Sequence, residues 1–154
     1  MTRGQIDILR DDKILTRLFI ASDAYPEGIM KAICEKYSDY EEVNGISIGK
    51  MKIYNGIGDY ISQLIYFLKE DNRRNHNSIV NTFKKTIGIE VNINNESGWL
   101  YVMPTDEEIG DVEYRYNIYS KDNKLYVSCV ETNKLFEGTM NEYLKWLEER
   151  KDEE

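Results

Sequence analysis

Few residues in this 154-residue chain have the types and spacing that covalent chemistry requires. Thr2 is one. With Met1 removed, its hydroxyl and the freed amine would form a self-contained nucleophile–base pair, the arrangement of hydrolases that cut with an N-terminal threonine. A second is the run Asp106-Glu107-Glu108, followed by Asp111 and Glu113. Metal-assisted phosphodiester cleavage needs such clustered carboxylates, but a solvated acidic loop has the same composition, and no calcium-loop spacing is present. His76 is the only histidine, so a two-His metal site within the chain is excluded, and any histidine-based triad would have to use it. It lies in Asn72–Asn77, which reads as a polar turn between two helical patterns. Cys34 and Cys129 have no second Cys or His at metal-ligand spacing and read as buried thiols. Gly45, Gly49, Gly56 and Gly58 lack the Lys-Ser/Thr of a phosphate loop and the dinucleotide fingerprint. No cofactor and no metal site are expected, and the balance leans away from catalysis.

Binding has better candidates. Arg3 offers a planar fork suited to a carboxylate or phosphate. With Asp23 and Tyr25 it could rim a small pocket for a nucleotide or an acid, Pro26 and Glu27 being further binding candidates on the same turn. In the competing structural reading, Arg3 pairs with Asp23, Pro26 takes the first helical position, and Asp23 and Glu27 face the positive end of the helix. Twelve tyrosines are a second signal. Tyr114, Tyr116, Tyr119 and Tyr126 fall on neighbouring strand patterns, and Tyr is a favoured contact residue. Charge is a third. Residues 1–85 hold 13 Lys and Arg against 12 Asp and Glu, a net of +1; residues 86–154 hold 7 against 16, a net of −9. Direct nucleic-acid binding through a basic surface is therefore not expected. An acidic face suits a basic protein partner, or else simply keeps the chain soluble.

The elements that must position these residues read as one α+β domain over residues 1–147, an antiparallel sheet with about four helices packed on it. Residues 148–154 read as a frayed, charged tail. Gln5–Leu9 and Ile14–Ala21 flank the turn cluster Arg10–Lys13, a hairpin pattern. The second strand is apolar on both faces, which suits a central position. Helical spacing follows from Ile29, again over 57–70, and again after an Asn77 cap, with Ile79, Val80, Phe83 and Ile87 facing the core. Residues 43–56 stay ambiguous between a loop and a short strand pair. Strands are expected at 89–93, 99–103, 112–119 and 124–130, with a short piece at Leu135-Phe136. Thr139-Met140-Asn141-Glu142 has capping-box spacing and opens a last helix with Met140, Tyr143, Leu144 and Leu147 inward. No apolar run approaches a membrane span, and no signal-peptide core opens the chain. A cytoplasmic location is expected, with no membrane partner; a homodimer stays open.

Thr2-Arg3-Gly4 with Ile6, then Asp23-Ala24-Tyr25-Pro26-Glu27-Gly28, resemble a group of small proteins of phages, prophages and archaeal elements. Those proteins open on a Thr-Arg-Gly strand and carry an Asp-Gly-Tyr-Pro-Glu-Gly turn before their first helix. Here Ala24 stands for the Gly of the turn, and Ser22 where an aromatic often stands. Asp111–Ile118 is similar to a second recurring strand of the group. The resemblance covers about half the chain and implies a mobile-element origin. Together with the −9 charge of residues 86–154, the Tyr-rich strands and the scarcity of catalytic constellations, that origin leads to the expectation of a small acidic protein that binds and modulates a host protein, such as a defence or nucleic-acid-processing factor.

Overall fold

Gly4–Arg10 forms β1 and Lys13–Ile20 forms β2. They are joined at Asp11 and Asp12, with φ of 51° and 66°. Two consecutive left-handed residues make a type I′ turn, whose twist matches that of the strands; Asp tolerates the conformation through local side-chain hydrogen bonding. The same device joins β6 (Tyr114–Lys121) to β7 (Lys124–Val130), where Asp122 and Asn123 have φ of 51° and 63°. The computed structural model describes residues 2–45, 49, 51–88 and 99–153, with backbone alone for 75–80, 83, 152 and 153. The expected strand at 89–93 and its turn at 94–98 lie outside the described residues.

With β5 (Leu100–Met103) and β8 (Lys134–Thr139), these strands make a six-stranded sheet in the order β5-β2-β1-β6-β7-β8. Its neighbours are antiparallel except β1 and β6, which run parallel, with Gly4 opposite Tyr114 and Ile8 opposite Ile118. Parallel neighbours need a long crossover, and here the chain between β2 and β6 supplies it. β2 lies inside the sheet, as its two apolar faces imply. The segment left ambiguous contributes β4 (Ile53–Tyr54), which pairs in parallel with β3 (Glu41–Glu42).

Three helices are present among the described residues: α1 (Ile29–Tyr37), α2 (Gly56–Ile87) and α3 (Met140–Glu153). Ile6, Ile8, Leu18, Ile20, Ile118 and Val127 of the sheet meet Ile33, Leu64, Leu68 and Tyr143 of the helices in one core. Where two helical patterns separated by a turn are expected, the chain runs as one 32-residue helix, α2, ended by Gly88 at φ 72°. Asn72–Asn77 contains neither Pro nor Gly, so nothing in it breaks the helix. His76 and Asn77 therefore lie within a helix, and Asn77 is not at the start of one. Ile87 is 56% exposed instead of facing the core. The chain remains helical to Glu153, through most of the expected tail.

The capping box forms as its spacing predicts. The Thr139 N–H donates to Glu142 Oε1 at 3.0 Å, and the Glu142 N–H donates to Thr139 Oγ1 at 3.1 Å. The bond from the Thr139 N–H, then that from its hydroxyl, holds the Glu142 carboxyl below its ordinary range. A carboxyl whose folded pKa is depressed contributes stability above its unfolded value, near 4.5 here, and loses it as pH falls through the folded value. Glu142→Gln keeps an acceptor but cannot titrate. Urea melts at a series of pH values are expected to show wild type ahead of this variant at pH ~6–7, with the gap closing below pH ~4.5.

Candidate functional site

The two sequence motifs at the start of the chain pack on each other. Gly4 lies so close to Ala24 that a β-carbon on Gly4 would sit 2.5 Å from that of Ala24. The Ala24 N–H donates to the Thr2 carbonyl at 3.2 Å. Asp23 adopts φ 62°, and its carbonyl accepts the Ile29 N–H at 2.8 Å. Gly28 closes the turn against that carbonyl, where a β-carbon would come within 2.2 Å of the oxygen. Two buried tyrosines then hold the turn from below: Tyr116 OH donates to the Ala24 carbonyl at 2.5 Å, and Tyr143 OH to the Pro26 carbonyl at 2.6 Å. Burial pushes both phenols far up, so they remain donors.

The sequence expectations at this turn change in three respects. α1 begins at Ile29, so Pro26 is a buried turn residue and not the first of the helix. The carboxylates of Asp23 and Glu27 do not cap α1; the backbone carbonyl of Asp23 does, and Glu27 pairs with Arg150 at 3.5 Å. Arg3 pairs with Asp111 at 3.1 Å, not with Asp23. Tyr25 is 41% exposed.

The face of the sheet away from the helices carries a different chemistry. Pairing registers align Arg17 (β2), Asp7 (β1), Asn117 (β6), Ser128 (β7) and Glu137 (β8) in one polar row across five strands. At one end Arg17 grips Asp7 with two bonds, Nε to Oδ1 at 2.8 Å and Nη2 to Oδ2 at 3.1 Å, and Gln5 Nε2 adds a third at 2.9 Å. Both charged side chains are buried. Donation of hydrogen bonds to the Asp7 carboxylate raises the Arg17 pKa further, so the guanidinium stays charged.

A strap, residues 104–113, covers this end. Three arginines anchor it: Arg17 Nη1 donates to the Glu107 carbonyl at 2.6 Å, Arg115 Nη2 to the Ile109 carbonyl at 3.2 Å, and Arg3 Nη1 to Asp111. Ile109 is buried beneath it, while Asp106, Glu107, Glu108, Asp111 and Glu113 stay exposed. Two of the three anchors hold backbone carbonyls, which leaves the carboxylates of Asp106, Glu107, Glu108 and Glu113 turned outward. Among the described residues, no group of three or more His, Cys, Asp or Glu side chains is placed to hold a metal ion.

The other end of the row opens into a groove of about 950 Å³. Asn117, Ser128, Tyr119 and Val130 line its floor, the β1–β2 turn forms one wall, Lys134 and Glu137 form the other, and the groove continues past the end of the sheet to Glu42 and to Gly56, Ile57 and Gly58 at the start of α2. Tyr119 OH donates to Glu137 Oε1 at 3.0 Å, and Lys134 pairs with Glu137. Lys134 and then Tyr119 hold the Glu137 carboxyl below its ordinary range, while burial followed by Glu137 pushes the Tyr119 phenol up to about 12. Ser128 is 5% exposed, and neither it nor Asn117 makes a side-chain hydrogen bond to another described residue.

The tyrosines expected to share one surface are divided by the sheet. Tyr114 and Tyr116 face the helices, whereas Tyr119 faces the other way and stacks on Tyr126 at 5.5 Å. Thr2 leads into β1, with its carbonyl bonded to Ala24. Both thiols are buried, and burial raises them, Cys129 to about 11, so neither presents a thiolate at neutral pH. Asp7, Arg17, Asn117, Ser128 and Glu137 escaped the sequence reading. The available signal was the pair Gln5 and Asp7 alternating with Ile6 and Ile8; nothing local showed which strands lie beside them.

Two outcomes follow from this geometry. Gly4→Ala forces the β-carbon clash and is expected to cost about 1–3 kcal/mol in urea denaturation; adding Ala24→Gly removes the clashing atom and recovers most of it. Arg17→Met leaves Asp7 buried and unpaired, an expected loss of about 3–5 kcal/mol, and Arg17→Met with Asp7→Leu recovers much of that loss.

Comparison of the chain with protein-family models, curated proteins and solved structures found no match.

Proposed function

We propose that the protein acts by binding, and that its acidic strap meets a basic surface on a partner protein. The observation that carries this reading is the anchoring of residues 104–113 by Arg3, Arg17 and Arg115. The five carboxylates have no Lys or Arg between them and repel one another; Asp111 is drawn to Arg3, while Asp106, Glu107, Glu108 and Glu113 stay exposed. Fixing their backbone from beneath removes the ordering cost that a free loop would incur on binding. A rigid acidic surface accelerates encounter with a basic partner and selects against acidic ones. On the resemblance noted above, the partner is a host protein of a phage or related element. A defence or nucleic-acid-processing factor fits, because its phosphate-binding surface is basic. The same charge argues against direct binding of nucleic acid by this chain.

The test is charge reversal on the strap. Asp106→Lys, Glu107→Lys and Glu108→Lys together leave the backbone carbonyls in place, so the melting temperature is expected to hold. Carboxy-terminally tagged wild type is expected to retain a stoichiometric partner from host lysate at ~50 mM salt and release it near 1 M, as screening predicts. The triple variant is expected to lose that partner at every salt concentration. Absence of a stoichiometric partner, or equal retention by the variant, overturns the proposal.

A further inference from the structure

We propose that the groove at the open end of the polar row is a binding site for a neutral, hydroxyl-rich ligand of the saccharide class. This inference is independent of the acidic strap, which covers the opposite end of that row. Asn117 and Ser128 sit directly opposite each other on β6 and β7, where facing side chains lie within reach of a common ligand group. Ser128 is 5% exposed as a residue, and its hydroxyl, which has no side-chain partner among the described residues, opens onto the groove. A polar group so placed is available to whatever enters.

The chemistry of that occupant follows from the lining. An amide and a hydroxyl each both donate and accept, and a ligand hydroxyl does the same. The walls carry three cationic and four anionic side chains. Several are already engaged: Lys134 with Glu137, and Glu42 with the Ser120 hydroxyl. A phosphate or carboxylate would meet the anionic members, and an ammonium the cationic ones. A neutral polyol meets both through hydrogen bonds and repels neither. Tyr119, two residues along β6 on the same face as Asn117, supplies a flat apolar flank. Its ring is fixed by stacking on Tyr126 and by its bond to Glu137, and such a surface suits the apolar face of a pyranose ring. The volume lies within the range of small-molecule sites, which combine apolar walls with a few placed polar groups.

The test titrates the full chain with maltotetraose, cellotetraose and chitotetraose, and separately with inorganic phosphate and tetralysine. Calorimetry and amide resonance shifts supply the readouts. At least one neutral saccharide is expected to bind with a Kd of about 1 mM or tighter, with shifts centred on Asn117 and Ser128. Asn117→Ala and Ser128→Ala are expected to weaken that binding about tenfold each while the melting temperature holds. Should either variant unfold, the shift map on wild type decides alone. The proposal is overturned if none of the three saccharides shifts Asn117 and Ser128 at ~10 mM. It is equally overturned if only phosphate or tetralysine does so, or if folded variants bind as wild type does.

Discussion

The packing of Gly4 against Ala24 is the constraint on which the rest depends. It brings the turn after β2 onto the start of β1, which only a residue without a side chain on one partner permits. Tyr116 from β6 and Tyr143 from α3 then bond to consecutive parts of that turn. The first hairpin, the central parallel pair and the last helix therefore meet at one short segment. α1 leaves from it in a direction set by the Asp23 carbonyl and by Gly28. A turn so committed through its backbone places α1 against α3 and seats both over the sheet.

The sheet divides the protein's chemistry. Its helix side is apolar and closed, and both cysteines lie there without reactive character. Among the described residues no helix packs over the opposite side, yet it is not merely a wetted surface. Arg17 and Asp7 are buried there by a strap instead of by a helix. A buried ion pair is a poor source of net stability but a strong constraint on geometry, because either partner alone is costly. It fixes the strap, and its Asp7 adjoins Asn117 in the row that runs on into the groove. Rigid display of carboxylates and an open polar groove are thus two ends of one transverse arrangement.

The α+β class, the first hairpin, the inner position of β2 and the capping box at Thr139 could be read from the sequence, because each rests on residues within a few positions of one another. The single α2 helix was missed because a polar run without Pro or Gly has the composition of a turn and the conformational freedom of a helix. The two motifs at the start of the chain were legible as motifs, but not as partners. Nothing local reveals that Gly4 exists for Ala24, or that Arg3 reaches Asp111. The polar row was invisible for the same reason. Asp7 next to Asn117 is a consequence of the parallel register, not of either strand's own pattern.

That register also shapes how the chain must assemble. Gly4 opposite Tyr114 joins residues 110 positions apart, at the centre of the sheet and not at its edge. The two hairpins can each form quickly from local contacts, on the microsecond scale of such elements. They cannot share a sheet until the whole intervening chain has been closed into a loop, and that entropy is lost before the long-range contacts repay it. Pairing of β1 with β6 is therefore the sheet contact with the largest loop to close. Until it occurs, the inner edges of both stand unpaired, the condition under which strands seek partners in other molecules.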